Sequence, residues 1–202
     1  MHWRQKFDVV RAELSENEQL WSTFDLHEGA VETFVAALKA AFPFVGDEYV
    51  EFLRYTDGCR IYTEFLLGSG ASHFVPDFIE DKNFFQCPAL FEEAANLEVS
   101  LREWRNVDEL GEFMPVAMST TREEYYLMLA SGEILCVDTE EKETAHDNYV
   151  GKSFGEFLNE YMMGPKQPLL LYDHIDEWKP DMENELTRYL HKQGWWPEET
   201  GS

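Results

Sequence analysis

Chemistry needs reactive groups brought together, and in this chain the reactive residue types are scattered. The six histidines are His2, His27, His73, His146, His174 and His191. No two of them stand in an H-x-x-x-H or H-E-x-x-H spacing, which would bring two imidazoles onto one helical face around a zinc ion. His174 sits in the run Asp173-His174-Ile175-Asp176-Glu177; this supplies metal-type ligands but reads first as a solvated acidic loop. Glu123 and Glu124 would be a candidate acid pair, yet neighbours on a strand point to opposite faces and cannot serve one substrate. Gly68-Ser69-Gly70 lacks the Lys-Ser/Thr of a phosphate loop and the third glycine of a dinucleotide fingerprint, so it reads as a turn. No G-x-S-x-G nucleophile elbow is present. Cys59, Cys87 and Cys136 are odd in number, far apart and without a C-x-x-C spacing. Cys136, between Leu135 and Val137, reads as a core thiol. The reading is therefore of a protein that is not an enzyme and uses no cofactor and no metal ion.

The charge is more informative. Forty acids face 16 lysines and arginines, a formal net charge of −24 over 202 residues. Such a chain repels nucleic-acid phosphates and anionic membrane surfaces, which argues against both as direct partners. A basic protein partner would instead be attracted and its encounter accelerated. No stretch approaches the roughly 18 apolar residues of a membrane span. The start of the chain has no apolar run of signal-peptide length. Together with cysteines that read as reduced, buried thiols, this predicts a cytoplasmic protein.

The elements that would carry these residues follow from periodicity. Phe7–Leu14 reads as a short helix. Val31, Phe34, Val35, Leu38 and Phe42 recur at helical spacing, and Pro43 ends that helix. Asp47 is expected to cap a second helix with Tyr49, Phe52, Leu53 and Tyr55 on its apolar face, and Gly58 to close it in a left-handed conformation. Tyr49–Tyr55 has aromatic rings that could stack on bases, but helical spacing and negative charge favour core packing. The run from Cys59 to Gly70 reads as one strand. Leu90, Phe91, Ala94 and Leu97 mark a mostly helical stretch, and Ser72–Phe85 an irregular one with room for one strand. Phe113–Thr120, Glu123–Ala130 and Glu133–Asp138 read as three strands, the last two joined by a tight two-residue turn at Ser131-Gly132. A helix capped by Ser153 follows, with Phe154, Phe157, Leu158 and Tyr161 aligned. Gly164-Pro165-Lys166-Gln167-Pro168 is a breaker, after which Met182, Leu186, Tyr189 and Leu190 mark another helix. Trp195 and Trp196 are expected to cover apolar surface of the main body. The organisation is an N-terminal segment (1–28), a main domain (29–163) and a C-terminal extension packing on it (164–202).

The order of elements, with particular residues, resembles the SUKH superfamily of fungal cell-wall-synthesis regulators and bacterial immunity proteins. The likeness is carried by Pro43 before an acidic helix start, by Tyr49-x-x-Phe52-Leu53, and by Asp57-Gly58 where the family tends to have Asn-Gly. It continues through the strands from Phe113 to Asp138 and closes on Ser153-Phe154-Gly155-Glu156-Phe157-Leu158. It covers Val31 to Met162, about two thirds of the chain. The resemblance implies an α+β fold, a mainly antiparallel sheet packed with helices, here with a C-terminal helical extension. It also implies a non-catalytic immunity protein that neutralises a cognate toxin, often a nuclease, by occluding its active surface. The alternative is a regulatory scaffold of the cell-wall-regulator type. The expected partner is a basic toxin domain. The residues expected to meet it are exposed acids near strand ends and loops: Asp57, Glu64, Glu123, Glu124, Glu140, Glu141 and Glu143.

Overall fold

The computed structural model describes residues 1–14, 16, 24–61, 65–68, 111–119, 124–138, 148–171 and 185–195. Among these, β1 (Phe24–Leu26), β2 (Gly58–Ile61), β3 (Phe65–Gly68), β4 (Phe113–Ser119), β5 (Glu124–Leu129), β6 (Ile134–Asp138) and β7 (Tyr149–Gly151) form one sheet. Its spatial order is the chain order, and every neighbouring pair is antiparallel. Helix α1 (Trp3–Leu14) precedes β1, and α2 (Glu32–Ala41) and α3 (Asp47–Tyr55) link β1 to β2. After β7 come α4 (Phe154–Glu156), a π-helical segment over Phe157–Met162, α5 (Pro168–Leu171) and α6 (Glu185–Lys192). The fold is α+β, helices on an antiparallel sheet.

Aromatic side chains from distant parts of the chain make the core. Phe52 on α3, fully buried, meets Trp3 and Phe7 of α1 with ring centroids at 5.9 and 6.1 Å, and Phe154 of α4 at 5.1 Å. Tyr126 of β5 lies 5.2 Å from Phe157, joining the sheet to the π-helical segment. The residues before and after the family-like stretch share this core: Trp3, Phe7 and Phe24 on one side, Tyr189, Leu190 and Trp195 on the other. On β5, Tyr126 and Met128 face the helices, while Tyr125, Leu127 and Leu129 on the opposite face are buried as well. Strands covered on both faces read as continuous apolar runs, as Tyr125–Leu129 does, instead of alternating with polar residues.

Several local expectations are corrected. Gly46, with φ −69° and ψ 159°, occupies the cap position of α3, and Asp47 is already helical. The Asp47 carboxylate turns outward to accept from Lys39 Nζ at 2.9 Å. That contact, with the Lys39 charge, holds its carboxyl below the ordinary range. Helix α3 ends at Thr56 in extended conformation, and Gly58 opens β2 with no positive φ. The stretch after it is a hairpin, not a single strand, because Gly58 faces Gly68 and Ile61 faces Phe65. The turn between β5 and β6 has three residues, Ala130–Gly132. Leu129 N–H donates to Glu133 O, Gly132 N–H donates to Leu129 O, and Gly132 takes φ +89°. The loop thus closes on a left-handed residue, a conformation glycine adopts without a side-chain clash.

Other expectations hold. Phe42, before Pro43, is pushed to φ −127° and ψ 79° and ends α2. The Ser153 hydroxyl accepts from Glu156 N–H at 3.2 Å, and the Glu156 carboxylate accepts from Lys152 N–H at 3.0 Å, a capping-box arrangement shifted by one residue. In α6, Tyr189 and Leu190 are buried. The helix expected around Leu90–Leu97 and the stretch Ser72–Phe85 lie outside the described residues, as does Met182.

The buried phenols give the fold a defined alkaline limit. Burial, followed by Asp57 and Cys59, raises the Tyr49 hydroxyl above its ordinary value, and burial followed by Glu13 does the same for Tyr189. Burial and the hydrogen bond to Asp8 push Tyr55 up to about 12. With folded values above unfolded ones, these groups contribute stability that is complete below pH ~10 and is lost as pH rises through the folded values. Urea unfolding should therefore show stability falling from about pH 10 upward, at up to about 1.4 kcal/mol per pH unit for a fully buried phenol. Tyr49→Phe should flatten that fall; an unchanged slope would show that Tyr49 has no part in it.

Candidate functional site

An antiparallel meander sends successive connections to alternate ends of the sheet. Ile61 faces Phe65 across β2–β3, Phe65 faces Ser119 across β3–β4, and Glu124 faces Asp138 across β5–β6. The start of β1, Phe24, faces Ile61. One end of the sheet thus carries the attachment points of residues 62–64, 120–123 and 139–147. Glu64, Glu123, Glu140, Glu141 and Glu143 belong to these connections. They lie outside the described residues, but the strand ends to which they are covalently joined are gathered together.

The two remaining acids of the expected set are not exposed. Glu124, 8% exposed, opens β5 between two other strands, and its carboxylate accepts from the Tyr126 hydroxyl at 3.2 Å. The strand position that puts it on the same face as Tyr126 also takes it out of solvent. Asp57 is fully buried and lies at the opposite end of the sheet, between α3 and β2. The chain at 27–30 runs alongside 53–58: Asp57 N–H donates to Glu28 O at 2.9 Å, His27 N–H to Gly58 O at 3.1 Å and Ala30 N–H to Leu53 O at 2.7 Å. This ladder covers Asp57, so neither acid can be a direct contact for a partner.

What covers Asp57 is itself noteworthy. His27 Nδ1 lies 3.4 Å from Asp57 Oδ1, with the imidazole about a third exposed and the carboxylate at 0%. A buried carboxylate behind a histidine is an arrangement that orients an imidazole in general-base sites. The other reactive groups beside Asp57, Tyr49 at 3% and Cys59 at 1% exposure, are sealed in the core. The pair stands at the helix-to-strand junction, between α3 and β2. Thirty residues and two helices separate His27 from Asp57, so no sequence spacing signals the pairing.

Charge is distributed unevenly. The described residues hold 17 of the 40 acids and 10 of the 16 basic residues, a net of −7, which leaves −17 for the remainder. On the helical side, acids are matched: Arg54 grips Glu32 through two contacts of 2.6 and 2.9 Å, Arg4 meets Glu51 at 2.9 Å, and Lys166 lies 3.6 Å from Glu156. Hydrogen bonds from Arg54 hold the Glu32 carboxyl below its usual range. The Lys152 backbone N–H, with Lys166, does the same for Glu156. Among the described residues no group of three His, Cys, Asp or Glu side chains is placed to hold a metal ion. No helix among them is long and apolar enough to cross a membrane. Cys59 and Cys136 are buried thiols; Cys87 lies outside the described residues. No protein-family model and no curated protein matches the chain.

Proposed function

We propose that this protein is a non-catalytic, cytoplasmic immunity protein of the SUKH type, which neutralises a basic toxin domain by covering its working surface. The observation that carries the reading is the segregation of charge. The helical side is close to neutral through ion pairs, while the connections rooted at one end of the sheet hold Glu64, Glu123, Glu140, Glu141 and Glu143 against only Arg122 and Lys142. A nuclease must grip phosphates and so presents a basic cleft. An acid-rich end is complementary to such a cleft in sign, and complementarity of this kind favours fast encounter and correct register.

The test is co-expression with the toxin domain encoded next to this chain's own gene. Growth should be rescued, and the two proteins should co-purify as a stoichiometric complex. Toxicity that persists with both proteins present, together with no complex, overturns the reading.

A further inference from the structure

The N-terminal segment and the C-terminal tail fall outside the family-like stretch, yet they touch each other at three points. Gln193 Nε2 donates to Glu13 Oε1 at 2.9 Å. Tyr189 packs edge-on against Phe24, centroids 5.7 Å apart. Lys6 of α1, only 5% exposed, places its ammonium 5.5 Å from the Trp195 ring. We propose that the two appendages dock as one cooperative clasp, locked by the buried ammonium of Lys6, so that releasing either loosens the other.

Lys6 suits this role because it is bound from both sides. Its Nζ donates to Asn159 O at 2.7 Å and to Met163 O at 2.6 Å. These carbonyls stand where the π-helical segment ends, and where helical carbonyls run out of backbone donors and the helix dipole favours a cation. Gly164 completes the socket, since a side chain there would strike the Asn159 carbonyl. Trp195 closes the other side of the ammonium; it is held in place by its N–H bond to Leu190 O at 2.9 Å and by an edge contact with Tyr189 at 5.9 Å. Burial lowers the hold of Lys6 on its proton, and Glu160 acts against that shift. The ammonium is therefore costly to bury unless carbonyls and ring are both in place. One charge thus links α1, the π-helical segment and the tail.

The test is amide hydrogen exchange on the full chain, read by segment. Lys6→Met should speed exchange over 185–195 by about 2- to 30-fold, the equivalent of the roughly 0.5–2 kcal/mol of a cation–aromatic contact, and leave β4–β6 as protected as before. Trp195→Leu should speed exchange over 3–14 by a similar factor. If Lys6→Met does not fold, the Trp195→Leu arm decides alone. Acceleration confined to the mutated element, or spread evenly over the sheet, overturns the clasp.

Discussion

Reversing Glu140, Glu141 and Glu143 to lysine should slow association with the proposed basic partner by about 10- to 1,000-fold, the range that electrostatic steering supplies. The change turns a net of −3 at these positions into +3 at one end of the sheet. Dissociation should move less, because charges at the rim of an interface act chiefly on encounter. Reversing Glu32 and Asp47 gives the control. Both are already paired with Arg54 and Lys39 on the helical side, so association should stay within a few-fold of the parent. Raising the salt should mimic the triple reversal, since screening shortens to about 8 Å near 0.15 M. Stopped-flow association over a salt series reads all three arms. A rate that is insensitive to salt and to the triple reversal would remove the acidic end from the mechanism.

His27→Ala should destabilise the protein by about 1 kcal/mol, because it removes the imidazole that stands 3.4 Å from the buried Asp57 Oδ1 and leaves that carboxylate nearer to solvent. The carboxylate it touches is wholly enclosed beneath the 27–30 ladder. Asp57→Asn should be much milder. An amide of the same shape keeps the contact with the imidazole without burying a carboxylate. In the Asp57→Asn background, His27→Ala should cost less than half as much, which is the coupling expected of residues in contact. Urea midpoints of the four proteins measure this cycle. Equal costs of His27→Ala in both backgrounds would show that the two side chains are energetically independent.

The local elements were largely legible. Helical periodicity located α2 and α3, Pro43 marked the end of α2, and Ser153 caps α4 as its type suggests. The strand pattern of β4–β6 was equally clear, because apolar runs punctuated by Gly132 have few other solutions. The misread acids share one cause. Asp47, Asp57 and Glu124 are all short-range polar signals whose roles were set by a distant neighbour: Lys39 for Asp47, the 27–30 ladder for Asp57, the flanking strands for Glu124. Glu48 shows the same effect, since its carboxylate accepts from Gly155 N–H at 3.1 Å, at the start of α4, 107 residues away.

The amino-acid order by itself determined α2, α3, the strands β4–β6 and the net negative charge. These depend on neighbours within a turn or a hairpin, and that range is written in the chain. Only the tertiary structure decided which acids are enclosed, that His27 stands over Asp57, and that Lys6 joins the two ends of the protein. Each depends on contacts between residues tens to hundreds of positions apart. Their burial and pairing depend on how whole elements pack, and no local spacing encodes that.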